Sequence, residues 1–272
     1  MARLLLVCWL ALFPGLAAAD AFLIGVHPMH SMRMLVERFE PLRAYLETRL
    51  GRPVHVESAV DFKAYFRRTL EGDFDLAIIP AHLARIAQKD RGFQPLVQFL
   101  PDNDALLVCD TARPLSRPEL LRHRRLAVID PLAVTVMAVL GRLSAQGLEA
   151  GRDFSVATYH SHAGVAQALT SGQAMAGVTT THAMQQIPDA LRGRLRVVAR
   201  LTEIPSFVVL AKPALPPAQV RRLRELLLAF SRSRVGQAFL RGIAFSAFAP
   251  AEERRLRHVD GYLAATRKAL AP

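Results

Sequence analysis

Glycine and cysteine are scarce in this chain, at 15 and 2 of 272 residues. So little glycine excludes a collagen-like or other fibrous repeat. Cys8 and Cys109 are the two cysteines, and Cys8 falls in a leader-like segment, so no intramolecular disulfide is expected in the mature chain. The G-x-S-x-G and H-E-x-x-H patterns and a phosphate-loop lysine are all missing, and no nucleophile, base and acid stand out together. Neither catalysis nor a cofactor is therefore expected. Repeats, low-complexity tracts and long linkers are also lacking. Acidic residues are outnumbered: 23 Asp and Glu face 35 Lys and Arg, a formal charge of +12. That balance favours an anionic partner without saying which. With 51% of its residues apolar, the chain is too hydrophobic to remain disordered, and its length suits one large domain or two of about 100–150 residues.

No apolar run reaches the ~20 residues of a membrane-spanning helix. The longest runs from Leu4 to Leu16, after Arg3 and before Ala17-Ala18-Ala19, an A-x-A cleavage site preceding Asp20. This is the layout of a secretory signal peptide, so residues 1–19 are expected to be removed and the remainder exported in soluble form. Cys8 lies within the leader and not at the cleavage point, which argues against a lipid anchor.

Beyond the leader, short β-rich runs alternate with longer helical ones. Strands are expected at 21–26, 53–58, 75–79, 94–100, 105–109, 126–129, 154–159, 174–179, 195–201 and 207–211. Helices are expected at 31–50 (with a break or kink near Pro41), 61–70, 80–89, 135–146 and 163–170, and from Pro217 the tail reads as mostly helical. Such alternation predicts an α/β fold with mainly parallel sheets. Strand 105–109 is expected to carry the chain out to a second lobe and strand 207–211 to bring it back. The first lobe is then residues 20–104 plus 203–272, and the second is the insert 105–202. Cys109 reads as a buried, inert strand thiol.

In open α/β sheets, ligands sit beyond the carboxyl ends of strands, where helix starts aim unpaired N–H groups and a positive dipole end at the crevice. Three starts meet that condition, near Ser31, near Ala133–Thr135 and near His162–Gly164, and the hydroxyls of Ser31, Thr135 and Ser161 add donors. Six of the nine histidines, His27, His30, His82, His160, His162 and His182, directly follow expected strands. As imidazoles they are expected to gain charge as the pH falls toward about 6.5. The segment from His27 to Met34 packs three methionines and two histidines into eight residues, a donor set suited to copper through Met29, His30 and Met32. The basic clusters 192–196, 221–224 and 254–257 lack interleaved aromatics and are expected to be solvated faces, not a nucleic-acid surface.

Several stretches, taken in order and spacing, resemble the periplasmic phosphonate/phosphite/phosphate-binding proteins of ABC importers. They are Leu23-Ile24-Gly25-Val26-His27-Pro28, Pro41-Leu42-Arg43-Ala44-Tyr45-Leu46, Gly72-Asp73-Phe74-Asp75-Leu76-Ala77, Ala127-Val128-Ile129-Asp130-Pro131, Ser161-His162 and Ile204-Pro205-Ser206. The resemblance implies the two-lobe, type II periplasmic binding protein fold with a two-strand hinge. It implies a small anionic solute, an inner-membrane ABC permease as partner, a periplasmic location and a monomer. Within it His162 matches the family's ligand-contacting histidine, Phe62 stands at the aromatic position after Asp61, and His82 lies near a position usually held by tyrosine. The Ser/Thr-rich loop of the family reads Asp130-Pro131-Leu132-Ala133-Val134-Thr135, keeping Thr135 alone of its hydroxyls.

Ser31, Phe62 and His82 are thus expected to act from the first lobe, and Thr135, His162 and His182 from the second. Thr180-Thr181-His182 and Ser206-Phe207 hold no carboxylate for an ammonium, which disfavours an aminophosphonate. Two alternatives use the same scaffold: capture of copper or a metal chelate, and a ligand-sensing module read by a membrane sensor kinase.

Overall fold

The computed structural model describes residues 21–28 and 32–271. Its strands form two sheets joined by short links. In the first, β1 (Phe22–Val26), β2 (Val54–Glu57) and β3 (Leu76–Pro80) run parallel, connected through α1 (Met32–Leu50) and α2 (Phe62–Glu71). After α3 (Ala81–Arg91) and β4 (Gln94–Leu100) the chain crosses at residues 101–102 and opens the second sheet with β5 (Asn103–Asp110). There β6 (Arg125–Val128), α4 (Val134–Ser144), β7 (Ser155–Thr158), α5 (His162–Thr170) and β8 (Ala176–Thr179) build the parallel part. Two short helices, α6 (Thr181–Gln186) and α7 (Asp189–Arg192), precede β9 (Leu195–Ile204). The chain recrosses at 205–206 into β10 (Phe207–Ala211) and ends with α8 (Pro217–Arg232), α9 (Arg234–Gly242), β11 (Ala247–Pro250), α10 (Glu253–Leu256) and α11 (Leu263–Leu270). The strand orders are β11-β4-β10-β3-β1-β2 and β7-β6-β8-β5-β9.

The two crossings run side by side. On one side β4 and β10 pair antiparallel (Gln98 with Val208), and on the other β5 and β9 do so from Asn103 and Ile204 onward. The strands expected to carry the chain out and back are thus β5 and β10, the first strand after each crossing. Cys109 is buried in β5, where its sulfur accepts from Leu115 N at 3.4 Å.

Both faces of the first sheet are covered, which explains the unbroken apolar run of β3. Leu76 and Ile78 pack with α1, α8 and α9 through Leu35, Leu223 and Leu240. Ala77 and Ile79 enter a second core with Tyr65, Phe66 and Phe74 that continues through Ala105, Leu107 and Ile204 into the second lobe. Gly25 permits this packing. A Cβ there would lie 2.4 Å from the Phe74 ring, which itself stacks on Tyr65 at 5.4 Å.

The structure corrects or refines three expectations. Helix α1 is not broken at Pro41 but continues through it, because Leu35, Phe39, Leu42 and Leu46 bury one face along its whole length. The tail is interrupted by β11, which adds antiparallel to β4 at the sheet edge, where a proline can close a strand. The basic clusters are not wholly solvated. Arg194 pairs at 2.7 Å with the buried Asp110, Arg224 Nη2 donates to Pro95 O at 3.2 Å, and Arg255 pairs with Asp102. After α10, a 3-10 turn at Arg257–Tyr262 packs on both α3 and α4. Arg85 of α3, 5% exposed, binds Asp260 at 2.8 Å and Glu253 at 2.7 Å to hold it there.

Candidate functional site

The parallel strands of each sheet end at the side where the chain crosses between sheets, and there the helix starts collect. Three of them are closed by their own side chains. Asp61 Oδ1 accepts from Ala64 N at 2.7 Å, Ser161 Oγ from Gly164 N at 3.0 Å, and Thr180 Oγ1 from Ala183 N at 3.0 Å. Helices α3 and α4 differ. Pro80 and Ala133 occupy their cap positions, and no side chain caps either one. An uncapped helix start carries unpaired donors suited to an oxyanion, although the first donor of α3, Ala81 N, is taken by Ser206 O at 2.9 Å.

In the first lobe, His27 follows β1 and is 2% exposed. Its ring lies 4.0 Å from Phe62, 5.6 Å from Tyr65 and 6.0 Å from Phe207, between centroids. Burial, with a smaller contribution from His82, pushes its pKa down to about 3. His82, in the first turn of α3, is fully buried and held at about 4, chiefly by desolvation. Ser206 lies at the return crossing, its carbonyl accepting from Ala81 N at 2.9 Å. Both ring nitrogens of His27, Nδ1 of His82 and Oγ of Ser206 are buried and have no hydrogen-bond partner. These residues stand on neighbouring strand ends, since β1 and β10 both pair with β3. Unpaired buried polar groups are rare in native proteins because each costs about 1–3 kcal/mol.

The second lobe approaches this wall directly. His82 Nε2 lies 2.8 Å from the carbonyl oxygen of Leu132, in the loop leading into α4. Thr135, 8% exposed, sits in the first turn of α4. Asp130 in the same loop accepts from Leu132 N at 2.7 Å. Its pKa is raised by burial first and then by the charge of Asp61, so these two carboxylates interact across the lobes. His162, the first residue of α5, shares a 3.0 Å bond between Nδ1 and the hydroxyl of the buried Thr179, at the end of β8. Desolvation and His182 lower its pKa to about 4.

Of the sequence-predicted residues, Phe62 and His82 join the first wall, Thr135 is buried in the first turn of α4 after the Leu132 loop, and His182 acts through its charge on His162 of the second lobe. His182 is exposed, with Nε2 bonded to Gln186 at 2.8 Å. Ser31, Met29 and His30 lie outside the described residues, and Met32 is 47% exposed on α1. Among the described residues no group of three or more His, Cys, Asp or Glu is placed to hold a metal. The expectation that the cleft imidazoles charge near pH 6.5 is overturned for His27, His82 and His162, because burial keeps all three neutral well below that value.

Ser206, Thr179 and the Leu132 carbonyl were missed as site groups, and His27, placed among the six histidines that follow strands, was not carried into the ligand set. The signal for His27 was present in Val26-His27-Pro28, a polar residue directly after an apolar strand. Two open depressions, about 310 Å³ beside Gln94 and Arg224 and about 580 Å³ beside Arg113 and Arg125, lie instead at the amino ends of β4, β6 and β8, opposite this site.

A family model described as the periplasmic substrate-binding protein of a phosphonate ABC transporter matches residues 24–256. Solved structures agree in fold. PhnD1 from Prochlorococcus marinus in complex with methylphosphonate superposes with a TM-score of 0.75 at 15% identity, covering 91% of this chain and 98% of its own. A binding-protein component of a phosphonate ABC transporter from Pseudomonas aeruginosa gives 0.75 at 16%, over 92% and 89%. A Xanthomonas citri protein bound to ATP gives 0.80 at 18%, over 92% and 99%. No helix among the described residues is long and apolar enough to cross a membrane.

Proposed function

The chain belongs to the periplasmic phosphonate substrate-binding family of ABC transporters, and from that premise we propose that it captures a small phosphorus oxyacid between its lobes and delivers it to an inner-membrane permease. One juxtaposition carries the reading. The bond from His82 to Leu132 O sets a buried wall of unpartnered polar groups against the loop from which α4 starts uncapped. A tetrahedral oxyanion seated there touches both lobes, and so binds the closed form better than the open one.

In this reading the lobes are residues 20–104 with 203–272, and 105–202. Thr135 and the α4 start donate to the ligand from one side. His162 does so through Nε2, since Nδ1 is taken by Thr179. Phe62, its ring tilted against that of His27 at 4.0 Å, closes the apolar side of the wall. An aminoalkylphosphonate is not the expected cargo. Asp104, the acid beside Thr181, is committed to Thr181 N and Oγ1 and to Arg200. Residues 1–19 act as the export signal, and the mature monomer works in the periplasm.

Titration calorimetry of the purified protein with methylphosphonate, phosphite and phosphate tests the capture reading. Binding of at least one of them, weakened about tenfold or more in His162→Ala, supports it. No binding by any of the three refutes it. Mass spectrometry of the exported protein checks the leader, with Asp20 as the expected first residue.

A further inference from the structure

The hydrogen-bond logic of the first-lobe wall restricts the protonation state of its occupant. His82 Nε2 faces the carbonyl oxygen of Leu132 at 2.8 Å. A carbonyl oxygen only accepts, so Nε2 carries the hydrogen. Burial keeps the ring neutral, and a neutral imidazole has one N–H, which leaves Nδ1 a bare lone pair. That atom is buried and unpartnered. His27, neutral as well, presents one N–H and one bare nitrogen in either tautomer, and neither has a partner. Ser206 Oγ, equally unpartnered, can serve either role. The wall therefore holds at least two lone pairs that only an incoming N–H or O–H can satisfy.

We infer that the cleft demands a hydrogen-bond donor from its ligand, and so takes a phosphorus oxyacid that retains one proton in preference to its fully ionised form or to a sulfonate. The inference rests on the capture reading above and sharpens its substrate class. Phosphonates and phosphate monoesters lose their second proton near neutrality, at about pH 6 for a phosphate monoester, and the singly protonated form offers one O–H among its acceptors. A sulfonate has the same tetrahedral shape and a single charge but no proton. Seated here, it leaves the His82 lone pair unpaired and facing an anionic oxygen.

Titration calorimetry of the purified protein with methylphosphonate and methanesulfonate, at pH 6.5 and 8.5, tests the inference. Methylphosphonate is expected to bind about ten- to a hundredfold more tightly than methanesulfonate at pH 6.5, the usual consequence of one unpaired buried acceptor. Its affinity is expected to fall about tenfold per pH unit once its second proton is lost, while that of methanesulfonate stays level. Over this interval His27, His82 and His162 remain neutral, and Tyr65, which donates to Ile78 O, is pushed above its ordinary range by burial. The other titratable groups nearby are Asp130, Asp61, whose charge acts on it, and His182, whose charge acts on His162. Asp130→Asn keeps the acceptor for Leu132 N and is expected to retain the pH dependence.

His82→Gln keeps an N–H for Leu132 O but removes the Nδ1 acceptor, and is expected to bring the two ligands within about threefold of each other. Equal affinities in the wild-type protein, or tighter methylphosphonate binding at pH 8.5, would overturn the inference and leave capture standing; a resident water that supplies the missing donor gives this result. If neither ligand binds, and phosphate and phosphite do not bind either, the capture reading fails and the inference falls with it.

Discussion

The two walls of the cleft are built on opposite plans. The first-lobe wall is buried: His27 lies among the rings of Phe62, Tyr65 and Phe207, and both its ring nitrogens, Nδ1 of His82 and Oγ of Ser206 are unpartnered. The second-lobe wall is more exposed and better satisfied, with Ser161 and Thr180 capping their own helices and His162 tied to Thr179. The contrast divides the work. A desolvated wall with unmet hydrogen bonds is specific but costs stability, whereas open helix starts attract an anion without demanding much of its shape.

Acid is the strongest way to break the contrast. The native rings of His27 and His82 stay unprotonated where the unfolded rings, near their ordinary value of about 6.5, take up protons. Stability is therefore complete above pH 6.5 and declines as the pH falls, until the native His82 itself protonates near 4. Two such groups contribute a loss of about 5 kcal/mol between pH 6.5 and 4.5. Urea midpoints measured across that range, and found flat, would show that the imidazoles are not sealed.

Gly25→Ala attacks the same wall from behind. The added carbon meets the Phe74 ring at 2.4 Å and is expected to cost about 1–3 kcal/mol in urea unfolding, because the ring stacked on Tyr65 must move. His27→Phe separates function from stability. The ligand-free protein is expected to gain about 1 kcal/mol at pH 7, since an unpaired buried polar ring is removed, while ligand affinity drops tenfold or more. A variant that lost both, or neither, would deny the wall its role.

On the second lobe, Thr135→Val is expected to weaken binding by only about 1 kcal/mol in calorimetry, because the backbone donors of α4 remain. His182→Ala should change affinity least, less than about twofold, its Nε2 already being held by exposed Gln186. A larger effect would move the second wall's donors toward α6.

The scaffold was legible because its signals are local. Asp61 before Phe62 marked the start of α2, and the apolar runs of β3 and β5 marked buried strands. Four-residue β11 left no such trace, since its pairing with β4 is decided by tertiary position. The site was half legible. Thr135 and His162 follow strands in an order sequence can show. Ser206 acquires its place only because β10 returns antiparallel beside β3. The neutrality of the histidines depends on burial, which no spacing of residues announces. His82 was singled out as a ligand group, yet its Nε2 spans the cleft to backbone, a pairing between residues 50 positions apart.

The turn at Arg257–Tyr262 bridges α3 of the first lobe and α4 of the second. It is riveted to α3 by Arg85 and leans on α4 beside Gly141, where an added carbon would come within 3.8 Å of the Tyr262 ring. The C-terminal segment thus ties the two lobes together at a third place besides the two crossings, so any change in their separation must also disturb contacts far from the facing strand ends.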